Sequence, residues 1–144
     1  MFALDINNVL METWIFYTAV LIMKTILMIP LTGWSRIYYQ VPLNPEDGAL
    51  VNAKVRSHEK IDRYRRAHLN DLENIPFFIL ISFLYLLTNP SVTATILMFR
   101  IYAITRIAHS ITYCFLQSAS RIFIYQPGAA ILFYMTYSVL KHFM

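Results

Sequence analysis

Arg66, Asn70 and Glu73 stand at i, i+4 and i+7. On a helix with about 3.6 residues per turn, that spacing sets a cation, an amide and a carboxylate along one narrow stripe. Tyr102, Arg106, His109 and Tyr113 repeat the pattern at i, i+4, i+7 and i+11, and Arg121 and Tyr125 lie one turn apart. Three such stripes facing one another suit a small polar anion held between helices. Guanidinium groups take carboxylates through paired hydrogen bonds, a carboxylate takes an ammonium, and amides and hydroxyls take peptide groups. Read singly, each residue also has a structural role open to it. Arg66 and Glu73 can pair with each other, His109 can be a satisfied interior histidine, and Tyr102 and Tyr113 can belong to an interfacial aromatic belt. Arg100 falls on the face opposite Arg106, where it can snorkel or meet a neighbouring chain, and Lys24 has no partner visible in the sequence. The coincidence of the three stripes favours a ligand.

The elements that must carry these residues are set by composition. Of 144 residues, 58% are hydrophobic and 14% charged, and the mean hydropathy is +0.50. Soluble domains run at about 45–50% apolar and about 25% charged. The excess points to an all-α integral membrane protein rather than a soluble enzyme. An aromatic content of 15% excludes disorder. The net charge of +4 is better matched to anionic lipid than to nucleic acid. A single cysteine, Cys114, and four scattered histidines give no disulfide framework and no metal site. Cys114 reads as a small apolar residue of the third span.

Twelve of the 20 charged residues lie between Glu46 and Glu73. The remainder divides into apolar stretches of membrane-spanning length, about 20 residues each. One domain over 1–144 is expected, with spans near 11–39, 60–88, 92–117 and 121–142. The second span has a polar first half and stops at Asn89-Pro90, and Pro127-Gly128 is expected to loosen the fourth. The connection from Gln40 to Glu59 reads as a loop. Lys54, Arg56, Lys60, Arg63, Arg65 and Arg66 put this end of the molecule on the cytoplasmic side. Asp5 and Glu12 replace the positive n-region of a secretory signal, so the first span reads as a permanent anchor.

These residues also carry a resemblance. Arg65 to Glu73, RRAHLNDLE, continuing through Asn74-Ile75-Pro76-Phe77-Phe78, is similar to the signature of the MAPEG family, the membrane-associated proteins in eicosanoid and glutathione metabolism. Asn44-Pro45-Glu46-Asp47, Phe99-Arg100, Arg106-Ile107-Ala108-His109 and Tyr113 resemble that family too. The resemblance implies four transmembrane helices per protomer and a homotrimer, with glutathione bound between protomers in the cytosol-facing half. It implies glutathione contacts at Arg36, Arg66, Asn70, Glu73, His109, Tyr113, Arg121 and Tyr125, with His68, Arg106 and Asp47 as further candidates and no metal. Leu69, Phe99-Arg100 and Ile122 after Arg121 are similar to the transferase branch. The prostaglandin E synthase branch tends to carry arginine at the first of these positions and serine at the last. One departure stands out. The stretch between Tyr113 and Arg121 is one residue shorter than either branch leads one to expect, and Arg121 is the only arginine left for its role.

The function so implied is a membrane-bound glutathione transferase. Arg121, assisted by Tyr125, would stabilise the thiolate, which would attack hydrophobic electrophiles arriving through membrane lipid and reduce lipid hydroperoxides. The expected location is the endoplasmic reticulum, or the outer mitochondrial membrane, with the site facing the cytosol. The competing readings are a glutathione-dependent isomerase converting prostaglandin H to prostaglandin E, a non-catalytic lipid-binding member of the superfamily, and a structural tetraspan protein.

Overall fold

The computed structural model describes residues 7–116 and 121–144, without the side chains of Val51, Arg121 and Ile122. Asp5 lies outside the described residues. Helix α1 spans Asn8–Tyr39, α2 Pro45–Val51, α3 Glu59–Leu86, α4 Val92–Ile111 and α5 Arg121–Phe143. A π-helical turn, Thr112–Leu116, extends α4. No strand occurs among the described residues.

The helix ends follow from local chemistry. Asn7 caps α1, its Oδ1 accepting from the backbone N–H of Val9 at 3.0 Å and of Leu10 at 3.3 Å. Gln40 closes α1 in the left-handed region, with φ 51°. The stretch expected to be a loop contains α2, a correction to the sequence reading. Pro45 opens that helix and the Asn44 N–H donates to Asp47 Oδ2 at 3.3 Å. Its end closes on Gly48, whose carbonyl accepts from Ala53 N–H at 2.9 Å. A Cβ on Gly48 would come within 2.4 Å of the Ala53 carbonyl oxygen, so only glycine fits. The approach to α3 is held by His58 stacking on Tyr39, ring centroids 4.0 Å apart. Asn89, at φ 49°, turns the chain from α3 into α4 just before Pro90.

Helix α1 packs on α3 and α4, and α5 also lies against both. Their core stacks Phe78 on Tyr102, centroids 3.7 Å apart and rings 5° from parallel, with the Phe99 edge against Phe78. Leu21, Ile75, Leu86 and Met135 fill the space around them. Helix α5 continues through Pro127. Gly128 lets it approach α4: a Cβ there would lie 3.3 Å from Thr105 Oγ1 and 3.6 Å from the Tyr102 ring. The outward faces are apolar, with Phe16, Ile26, Phe77 and Phe133 all exposed. Only 11% of the most apolar stretch of α1 is buried. Hydrophobic residues pointing outward at this density call for lipid or protein around them.

Helices α1 and α3 are each long and apolar enough to cross a bilayer. Helix α4, with 20 residues, matches the roughly 30 Å hydrocarbon core in length. Arg100, Arg106 and His109 dilute its hydropathy. Arg100 is exposed and Arg106 buried, as their opposite faces required.

One feature joins three of these helices. Asp71 of α3 is fully buried and takes an ion pair from Lys24 of α1 and another, at 3.1 Å, from Arg106 of α4. Ser110 accepts from Lys24 and sits 3.4 Å from Asp71 Oδ2. Removing one member of a buried ion cluster strands the others without a counter-charge, at a cost of about 3–5 kcal/mol. Asp71→Ala should therefore lower stability by about that amount, whereas Lys24→Met should cost less because Arg106 still answers the carboxylate. Thermal unfolding of the detergent-solubilised variants, read beside the parent protein, checks the order.

Candidate functional site

Directly beside this ion cluster the polar face of α3 meets the end of α4. Arg66, Leu69, Asn70 and Glu73 from α3, with His109 and Tyr113, line a cleft of about 280 Å³. Five of the eight expected glutathione contacts are thus brought together, by the stripe geometry of two helices. The π-helical turn carries Tyr113, whose hydroxyl accepts from Arg66 Nε at 3.2 Å. Its ring lies 5.7 Å from that of His109. Arg66 and Glu73 make no ion pair with each other among the described residues. Both are exposed, so a guanidinium and a carboxylate face the cleft from one helix.

The floor of the cleft is a chain of hydrogen bonds. Arg106 Nη2 donates to Asn70 Oδ1 at 2.7 Å and to the Asn70 carbonyl at 3.1 Å. Asn74 Nδ2 donates to the same carbonyl at 2.7 Å. Tyr102 donates its hydroxyl to the Asn74 carbonyl at 3.1 Å. Tyr125 donates to Asn74 Oδ1 at 3.2 Å, and its ring lies 6.1 Å from His109 and 5.9 Å from the Arg106 guanidinium. Tyr125 is therefore at the cleft edge, with its hydroxyl hydrogen directed at Asn74.

Several expected contacts fall elsewhere. Arg106 does not line the cleft; it is buried beneath it and engaged by Asn70 and Asp71. His68 is not a lining residue either, and its Nδ1 is buried without a hydrogen bond. It lies one turn before Asp71, on the side of α3 away from the stripe. Arg36 and Asp47 share a separate depression of about 430 Å³ with Ile37, Gln40, Val41, Pro42 and Leu43. Arg121 opens α5; its side chain, and the connection over 117–120 expected to be one residue short, lie outside the described residues.

Asp71 and Asn74, on which the floor depends, are absent from the expected set. The signal for Asp71 was the isolated Lys24: an ammonium in an apolar run needs a carboxylate, and Asp71 sits one residue from the Asn70 stripe. Asn74 gave no such signal.

From the polar cleft an apolar groove runs between α3 and α5. It starts at Glu73, Asn74 and Tyr125, passes Phe77, Leu80, Leu84, Leu132 and Phe133, and encloses about 510 Å³. A charged, hydrogen-bonding end thus opens onto a hydrophobic one.

The MAPEG family model matches residues 14–141. Microsomal glutathione S-transferase 1 of Mus musculus is 39% identical over 139 residues, covering 92% of this chain and 84% of the mouse protein. The protein of that name from Bos taurus is 38% identical over 144 residues, covering 92% of this chain and 93% of its own length. Prostaglandin E synthase of Homo sapiens is 26% identical over 113 residues, covering 77% of this chain and 74% of the human protein.

Proposed function

The chain belongs to the MAPEG family and, by its relatives, is a glutathione transferase; from that premise we propose that it activates glutathione as a thiolate in the cleft on α3 and conjugates it to hydrophobic electrophiles. The observation that carries the reading is the gathering of Arg66, Asn70, Glu73, His109 and Tyr113 around one cleft. Glutathione offers two carboxylates, one ammonium, two peptide groups and a thiol. Arg66 suits a carboxylate and Glu73 the ammonium. The Asn70 amide and the Tyr113 hydroxyl suit the peptide groups. A thiol with a pKa near 8.5 is mostly protonated at neutral pH, and a nearby cation lowers that value. Arg121 is the cation proposed for the sulfur, with Tyr125 at the cleft edge beside it.

The reaction is then a substitution or addition at carbon. The sulfur lone pair forms the new S–C bond, and in a substitution the leaving group departs with its bonding electrons. The apolar groove between α3 and α5 supports an electrophile that partitions into lipid. The same thiolate would reduce a lipid hydroperoxide by attacking its O–O bond, releasing the alcohol, and a second glutathione would then close the disulfide with loss of water.

Assembly as a homotrimer with four membrane-spanning helices per protomer completes the proposal. Arg36 and Asp47 stand in a depression apart from the cleft. An interface between protomers would give them a route to a shared ligand, and the exposed apolar faces a partner. The cluster of basic residues from Lys54 to Arg66 supports a cytosol-facing site in the endoplasmic reticulum or outer mitochondrial membrane. The isomerase reading has the weaker support, from relatives of lower identity.

Detergent-solubilised protein with glutathione and 1-chloro-2,4-dinitrobenzene provides the test. Conjugation should be measurable and should fall by about 100-fold in Arg121→Ala, the scale of losing one donor to a developing anion, with the oligomer unchanged on size exclusion. Full activity in that variant would remove Arg121 from the mechanism. Arg66→Ala and Glu73→Ala should each raise the glutathione KM by about tenfold, since a charge-assisted hydrogen bond is worth about 1.5–3 kcal/mol. Glutathione binding without conjugation, but with turnover of a prostaglandin endoperoxide, would transfer the assignment to the isomerase.

A further inference from the structure

Arg106 is 2% exposed and lines neither the cleft nor the groove beside it, yet one of its nitrogens touches a residue that lines the cleft. Its Nη2 faces three oxygens: Asn70 Oδ1 at 2.7 Å, the Asn70 carbonyl at 3.1 Å and Asp71 Oδ1 at 3.1 Å. A guanidinium only donates hydrogen bonds. The atom of the Asn70 amide that meets it must therefore be the oxygen, and the NH₂ group is turned the other way. Rotating that amide by half a turn would set two donors against each other in a buried site, losing a charge-assisted bond as well.

We infer that Arg106 is a positioning residue for the transferase site: it fixes the Asn70 amide so that Asn70 offers only a donor to the cleft. Lys24 and Ser110 complete the device by holding the other oxygen of Asp71. The carboxylate therefore stays aimed at Arg106, and Arg106 at Asn70. The consequence for recognition is specific. Asn70 selects an acceptor on the ligand, a carbonyl or carboxylate oxygen of glutathione, and does not bind one of its N–H groups. This inference rests on the glutathione reading proposed above.

The test is a double-mutant cycle on the full-length protein in detergent, measuring glutathione Kd by equilibrium dialysis together with kcat and KM for conjugation. Arg106→Lys keeps a cation for Asp71, but its shorter chain withdraws the donor that Nη2 holds against Asn70 Oδ1. It should raise the glutathione Kd and KM by about fivefold, the scale of one hydrogen bond, and leave kcat at saturating glutathione within about twofold. Asn70→Ala should weaken binding by a similar factor, and the double variant should bind no more weakly than Asn70→Ala alone. Factors that multiply in the double variant would overturn the positioning role. So would a lowered kcat at unchanged glutathione KM, which is what loss of a merely structural residue produces. Should Arg106→Lys fail to fold, Arg106→Gln, shorter and uncharged, takes its place; it should raise the glutathione Kd about as Asn70→Ala does, with no further loss in the double variant. A Kd matching the parent protein would overturn the inference. Absence of glutathione binding by the parent protein would overturn the proposed function, and this inference with it.

Discussion

The Asp71 carboxylate sits where water does not reach, and cations from two different helices close on it. Everything polar in the interior is arranged around that fact. A lone carboxylate buried in an apolar bundle is costly, and here Lys24 and Arg106 flank it and supply the counter-charge. The cluster has two positive members and one negative. Its contribution to stability is therefore smaller than its visible contacts suggest, because three ions had to be dehydrated to make it. What it supplies without ambiguity is register. α1, α3 and α4 can each slide or rotate along apolar surfaces, whereas Lys24, Asp71 and Arg106 meet in one arrangement only.

The ligand cleft is an extension of that register. Asn70 and Asp71 are consecutive, so one faces the cleft while its neighbour faces the ions, and Arg106 binds both. On the α5 side, Tyr125 is tied through Asn74 into the same floor. Asn70 and Tyr125 thus have defined supports beneath them, as a site between long helices needs if it is to keep its geometry. On the proposed function, the apolar groove leaving the cleft would separate the two demands made by a charged nucleophile and a lipid-soluble electrophile. Each would get its own medium, and the two media would meet at Glu73 and Tyr125.

Much of this was legible in the sequence because the periodicities are strong. Stripes at i, i+4 and i+7 bring Arg66, Asn70, Glu73, His109 and Tyr113 together through helix geometry alone. The boundaries near Tyr39, Leu86 and Val92 follow from Gln40, Asn89-Pro90 and the charge pattern. Cys114 packs with Met28 and Ala67 as a small apolar residue. What stayed hidden depends on contacts between distant parts of the chain. Arg106 shares a stripe with His109 and so reads as a ligand contact. Only the arrival of Asp71 from another helix shows that it points below the cleft. Tyr102, on the same stripe, is likewise drawn into the core by stacking on Phe78. Helix α2 was missed because seven residues opened by Asn-Pro carry too little periodicity to register against a run of charges. Arg36 and Asp47, expected at the site from the resemblance, lie in a depression apart from the cleft, and the resemblance does not say that a single chain must bring such residues together.

The π-helical turn at Thr112–Leu116 has a consequence for how this protein can change length. A turn closed by i→i+5 hydrogen bonds holds one residue more than the α-helical turn it replaces. The extra residue is stored inside the helix, near the end of the described segment. Deleting a residue within 112–116 would let the turn relax to ordinary α-helix, leaving everything through His109 in place. It would rotate the downstream chain by about 100°, and if Tyr113 were drawn along it would leave Arg66. The turn is therefore a joint between two numbering frames. The frame before it belongs to the ion cluster, and the frame after it carries Leu116 at the end of the described segment. A lineage that gained or lost a residue here would retune the last side chain of the cleft without disturbing the core beneath.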